Sequence, residues 1–340
     1  MSSWSSNETM FGFCHWKGVT CSSHAHPGRV TALRMQDLGL VGAISPQLSN
    51  LTYLQALDLS NNRLQGEIPH DHGSCVALRA INLSVNSLSG QIPWSIGNLP
   101  KLAVLNVRNN KISGNVPASL GNLTALTMLS IADNYVNGRI PPWIGNMTNL
   151  TDLNVAGNVF HGYVPSNIAG LINLLALSLL GNKLQGRIPP NIWSSGTITR
   201  LNLGNNILEA KTPNDRDFLT SLTNCSELVT LDLQLNRLSG FIPNTLVNLS
   251  QELIWIGLGG NQIFGTIPAG IGRFRKLTVL ELACNIFTCN IPLDIGQLSS
   301  LHRLLLYGNN LSGEIPPSVG NLTQLNELLL FQNNLDNITN

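Results

Sequence analysis

Leu57-Asp58-Leu59-Ser60-Asn61-Asn62-Arg63-Leu64-Gln65-Gly66-Glu67-Ile68-Pro69 is the cleanest copy of a pattern, L-x-L-x-x-N-x-L-x-G-x-I-P, that runs along the chain. Its first apolar position recurs at residues 33, 57, 81, 105, 129, 153, 177, 201, 231, 256, 280, 304 and 328, nearly always 24 apart. A fixed period of this length means stacked repeats, each too small to bury its own apolar face. Leu57 and Leu59, two apart, share one face of a short strand, and Asp58 points to the other. Stacking then lays the strands side by side in one parallel sheet. Gly66 and Pro69 turn the chain, and Leu51, Leu99, Leu123 and Leu171 bring the outer segment back to the core, so the sheet is expected on the concave side.

An asparagine column, Asn62, Asn86, Asn110, Asn134, Asn158, Asn182, Asn206, Asn236, Asn261, Asn285, Asn309 and Asn333, follows the strands, and only the first unit departs from it, with Leu38. A primary amide both donates and accepts, so an inward asparagine can satisfy backbone groups freed where a strand ends. Twelve copies in register give this column a structural role.

The composition agrees. Of 340 residues, 58 are Leu and 41 are Asn, while charged types reach only 11% against roughly a quarter in ordinary domains, which favours a one-dimensional repeat protein over two globular domains. A net charge of +1 supplies no basic face for nucleic acid or anionic lipid. The most apolar stretch, Ile168 to Gly181, carries Asn173 and is too short to span a membrane. Met1 is followed by Ser2, Ser3, Trp4 and Ser5, not by a basic and then apolar leader.

With G-x-I-P after the asparagine, the repeat resembles the plant-specific leucine-rich repeat over essentially the whole chain. Cys14, Trp16, Gly18, Val19 and Cys21, in C-x-W-x-G-V-x-C, match the end of the N-terminal cap of plant leucine-rich-repeat receptor kinases. The insert from Asp217 to Cys225 looks like the longer unit of the subfamily of flagellin-sensing and bacterial-blight-resistance receptors. The resemblance implies an α/β solenoid of plant-type 24-residue repeats, with a parallel concave sheet and a convex side of short helices, 3-10 turns and loops. Residues 1–29 would be a partial cap and 30–340 a solenoid of about thirteen units, with a longer unit at 201–230. It also implies an extracellular, non-enzymatic receptor ectodomain, here incomplete: signal peptide, first cap helix, C-terminal cap, membrane span and kinase motifs of the family are not found. The implied partners are a peptide or protein ligand, in this family often microbial, and a co-receptor ectodomain; no nucleic acid, membrane insertion, cofactor or metal is expected. Other classes on the same repeat are a soluble inhibitor of pectin-degrading enzymes and a truncated product without its own function.

The resemblance further implies a Cys14–Cys21 disulfide. A metal reading would add His15, His24 and His26, but C-x6-C-x2-H-x-H fits no common zinc spacing. Cys75 and Cys225 occupy core positions, Cys289 replaces the turn glycine, and Cys284 precedes Asn285, leaving the pairing of the last two open. Sequons stand at Asn7, Asn50, Asn82, Asn122, Asn146, Asn149, Asn224, Asn248, Asn310, Asn321 and Asn337, partly because the repeat itself spells Asn-Leu-Thr. His70 and His72 read as a solvated loop. Gly257, Gly259 and Gly260 only mimic a phosphate loop, since they fall on a strand. In the insert, Asn214 or Asp215 is expected to cap a short helix that buries Phe218, Leu219 and Leu222.

Binding residues are sought at the outward strand positions. Most are small or polar, such as Ala56, Asp58 and Ser60. The later units instead carry Trp255, Glu281, Arg303, Leu305, Tyr307, Leu329 and Phe331, residue types that anchor interfaces, and these are the expected ligand-binding residues.

Overall fold

A computed structural model describes residues 12–23, 27–70, 75–190, 192–193 and 195–336. Asn7, Asn337, His24, His26 and His72 lie outside the described residues. The chain forms two compact units, residues 1–160 and 161–340.

In the first unit, Cys14 and Cys21 are joined by a disulfide. The strand Val19–Cys21 pairs antiparallel with Val30–Arg34 and closes the end of the sheet. From there strands Ala56–Asp58, Ala80–Asn82, Val104–Asn106, Met128–Ser130 and Asp152–Asn154 add in parallel, each matched residue for residue to the one before. The second unit repeats the arrangement with Ala176–Ser178, Arg200–Asn202, Thr230–Asp232, Trp255–Gly257, Val279–Glu281, Arg303–Leu305 and Glu327–Leu329. Each unit is thus a leucine-rich-repeat solenoid with a long parallel sheet.

The outer segments are 3-10 turns such as Trp94–Asn98, Ala118–Asn122 and Leu293–Gln297. A proline precedes each, and five residues cannot hold more than a single tight turn. Behind the main sheet runs a second row of short parallel strands. In the second unit it has eight members, from His161–Tyr163 to Asn334–Leu335.

The asparagine column works as the sequence implies. Asn110 Nδ2 donates to the carbonyls of Leu83, Val107 and Arg108, and its Oδ1 accepts from Leu88 N at 2.9 Å. One amide therefore ties its own strand end to the preceding repeat. In the first repeat, where Leu38 holds the position, Asn62 of the next repeat accepts from both Leu38 N and Leu40 N.

The residue before each asparagine is left-handed throughout. Asn61, Asn109, Asp133 and Asn205 adopt this conformation at little cost, but so do Val85, at φ 56°, and Leu235, at φ 52°. A β-branched residue there is strained by about 1–2 kcal/mol. Val85 is exposed, so Val85→Asn should raise the unfolding free energy by about 1 kcal/mol in a urea titration. An unchanged or lower midpoint would show that no strain is relieved.

The insert buries Phe218, Leu219 and Leu222, but its start lies earlier than expected. A 3-10 turn, Pro213–Arg216, leads into the helix Asp217–Ser221, and the Asp215 carboxylate accepts from the N–H groups of Lys211 and Thr212 at 3.0 and 2.8 Å. These bonds hold the Asp215 carboxyl below its ordinary range, the Thr212 contact contributing most. Thr212 is therefore the residue before the first turn, and Asn214 is not the cap. Proline at 213 dictates this, because it suits the first position of a turn.

Cys75 and Cys225 are buried, and desolvation lifts both thiols above their ordinary range. Cys284 and Cys289 are exposed free thiols, both left-handed. Among the described residues no helix is long and apolar enough to cross a membrane.

Candidate functional site

On the outward face of the second unit's main sheet, strict register sorts the side chains into rows. Trp255, Val279, Arg303 and Glu327 form one row, and Gly257, Glu281, Leu305 and Leu329 the next. Tyr307 and Phe331, just beyond their strands, stack at 4.7 Å between ring centroids with planes 10° apart. Phe331, with one face on Tyr307, is 54% exposed.

The charges are arranged around these rings. Arg303 Nε donates to Glu327 Oε2 at 2.5 Å. Glu281 is half-buried, and burial pushes its carboxyl above the usual carboxylate range; Arg303 opposes this, while Asp232 and Glu327 add to it. Asp232 is raised as well, again mainly by desolvation, although Gln234 N donates to it at 3.1 Å. With its amide nitrogen turned toward Glu281, Gln234 lies 3.2 Å from both carboxylate oxygens. Trp255 is half-buried across the same region, its indole nitrogen and the far end of the Gln234 amide meeting over Gly257.

Six of the seven expected residues thus present surface on one face, and one does not. Leu305 is 4% exposed. It stands at an outward position, flanked in register by Glu281 and Leu329, but is covered and offers no surface of its own. Sequence reasoning also missed Asp232, Gln234 and Glu327, which hold or oppose the named charges. Their outward positions were legible, but charge pairing across strands requires the register. Cys284 is a further neighbour: its N–H donates to the Tyr307 carbonyl at 2.8 Å, and burial, followed by the nearby Cys284, raises the tyrosine hydroxyl above its ordinary range.

The corresponding face of the first unit carries Asp58, Ser60, Asn82, Ser84, Asn106 and an Arg108–Asp133 ion pair at 2.9 Å. Among the sequons, Asn50, Asn122, Asn146, Asn149, Asn224, Asn248, Asn310 and Asn321 are exposed. Asn82 is half-buried on the sheet, where its Oδ1 accepts from the Ser84 hydroxyl at 2.8 Å. No group of three or more His, Cys, Asp or Glu side chains among the described residues is placed to hold a metal.

The family described as "Leucine-rich repeat region" matches residues 38–192, and that described as "Leucine Rich Repeat" matches residues 227–249 and 300–322. Over 71 residues the chain is 48% identical to the receptor kinase-like protein Xa21 of Oryza sativa subsp. japonica, which is 21% of this chain and 7% of that protein. Among solved structures it is similar to the PEPR1–AtPEP1 complex, with a TM-score of 0.81, 34% identity, and 98% of this chain covered against 49% of that one. It is similar also to the Arabidopsis receptor kinase HAESA in complex with the peptide hormone IDA and the co-receptor SERK1: TM-score 0.74, 29% identity, 98% of this chain and 63% of that one. The chain therefore spans about half the length of the PEPR1 chain and a small part of the curated relative, and the matched part of the kinase-named relative is its repeat region.

Proposed function

The chain is a leucine-rich-repeat protein of the plant receptor-kinase ectodomain type, and from that premise we propose that the main-sheet face of residues 161–340 binds a peptide ligand at the cell surface. In this reading the repeats are a non-catalytic, extracellular recognition element, and signalling belongs to a kinase elsewhere in a longer receptor. One observation carries it: a stacked aromatic pair, Tyr307 and Phe331, lies outward on the sheet beside a bonded Arg303–Glu327 pair. A rigid aromatic surface next to a fixed charge pair suits an extended peptide, whose side chains anchor in apolar contacts while charge sets its direction. The solved complexes of PEPR1 with AtPEP1 and of HAESA with IDA and SERK1 support a peptide as the ligand class and a co-receptor ectodomain as a further partner. A glycan on Asn82 would crowd the first unit's face, whereas no sequon falls on the main-sheet strands from Trp255–Gly257 to Glu327–Leu329, Asn310 opening a strand of the second row, which favours the second unit.

The test is to pan a random peptide library against the secreted chain and titrate the selected peptides into two variants. Tyr307→Ala should weaken binding about 30-fold, equivalent to about 2 kcal/mol. His70→Ala, exposed on an outer segment of the first unit, should change it less than twofold. Equal affinities for the two variants would move the site off this face.

A further inference from the structure

An overall charge of +1 hides a local concentration: three of the chain's 19 Lys and Arg residues, Arg273, Arg275 and Lys276, fall within four positions. Phe274 and Leu277 are completely buried and anchor this run, while the three cations stay exposed. The outer turn Ile271–Arg273 ends on the first of them. With Gln251 and Glu252 of the preceding repeat and Gln297 of the following one, they line a cavity of about 290 Å³. Lys276 is ion-paired with Glu252. Arg273 Nη1 donates to the Asn248 carboxamide oxygen at 3.4 Å, and among the described residues no carboxylate stands within ion-pair distance of Arg273 or Arg275. Two guanidinium groups are thus held at one cavity without a carboxylate partner, which makes its potential positive.

Every residue lining this cavity is charged or a carboxamide. A peptide or protein interface is organised around aliphatic or aromatic anchors, and the lining offers none. Its donors and acceptors match a sugar acid. A guanidinium takes a carboxylate in a two-pronged bond, and Gln251, Gln297 and the Glu252 carboxylate suit hydroxyl groups. Glu252 would oppose a densely charged phosphate polymer. Successive outer turns of this unit end at Asn224, Asn248, Arg273, Gln297 and Asn321. Asn224, Asn248 and Asn321 begin sequons and the two residues between them do not, so glycans along this edge would leave a window of two repeats at the cavity. We propose that this window is a second binding surface, separate from the main-sheet face, and that it takes an acidic polysaccharide built of uronic acid units.

The probe is polygalacturonate, titrated into the full chain secreted with high-mannose glycans. It should bind saturably before and after the glycans are trimmed to a single sugar. The double variant Arg273→Gln/Arg275→Gln should bind about tenfold more weakly. Lys183→Gln/Arg237→Gln, which removes the same charge from exposed positions on the second row of strands, should change binding less than about twofold. Gln297→Asn writes an Asn-Leu-Ser sequon inside the window. Its glycan, confirmed by mass spectrometry, should abolish binding, and trimming should restore it, which separates occlusion from misfolding. Tyr307→Ala should leave polygalacturonate binding unchanged, so the outcome is independent of peptide recognition. Equal loss in the two double variants would reduce the effect to overall charge and overturn the inference. It is overturned also if polyglutamate or inorganic phosphate binds as tightly as polygalacturonate, if the secreted parent does not bind, or if Gln297→Asn binds with its glycan in place.

Discussion

Asn206→Ala should destabilise the second unit by about 3 kcal/mol, the largest effect expected of any side-chain truncation outside the apolar core. The Asn206 amide makes four bonds: Oδ1 accepts from Leu184 N at 3.0 Å, and Nδ2 donates to Leu179 O, Leu203 O and Gly204 O at 3.0 to 3.1 Å. Alanine leaves Leu184 N–H buried with no acceptor and strips a donor from carbonyls of two successive repeats. Each buried group so orphaned costs about 1–3 kcal/mol, and water cannot replace the amide at a position 7% exposed. Because a repeat is stabilised by its neighbours, the urea transition should also broaden as adjacent repeats uncouple. A transition superimposable on the parent's would remove the column from the account of the fold.

Gly272→Ala should cost a comparable amount, about 2–3 kcal/mol, for a steric reason. Gly272 lies in the 3-10 turn Ile271–Arg273 and is buried against the next outer segment. A Cβ there would collide with the main-chain carbonyl oxygen of Asp294 and come within 2.9 Å of its carbon. Unlike the tip of a side chain, that carbonyl cannot swing aside. The Asp294 carboxylate also clamps the turn by accepting from Gly270 N at 2.8 Å and Gly272 N at 3.0 Å, so relief of the clash would break these bonds. Gly97 and Gly296 meet the carbonyls of Ser119 and Ser318 in the same way. Gly320→Ala is the matched control, since nothing lies within 4 Å of its added carbon, and it should be close to neutral in the same thermal melt. A neutral Gly272→Ala would mean that the outer segments are loosely stacked.

The strands, the parallel register and the asparagine ladder were legible in the sequence because each rests on a period, and a period is preserved whatever the individual residue. What a period hides is the exception. Val85 and Leu235 read as ordinary variable positions, yet both hold a left-handed backbone because the turn before the asparagine is fixed by its ladder bonds. Leu305 stands at an outward position but is covered, since two large neighbours in register close over it; alternation gives the direction of a side chain, not its cover. Gly257 and Gly259 look like a coincidence of composition until the side chains of Gln234, Trp255 and Glu281 are seen resting on them. Tyr307 and Phe331 were found for the opposite reason, because they break the small and polar habit of their columns.

Photo-cross-linking tests the central claim most directly. Peptides selected against the intact secreted chain, each carrying one photoreactive residue, are irradiated in complex with it and the adducts mapped by mass spectrometry. Peptide recognition by the second unit's sheet places the adducts on Trp255, Arg303, Tyr307, Leu329 and Phe331 and their outward neighbours. Adducts concentrated on the outer 3-10 segments, or on the sheet of residues 30–160, would contradict it.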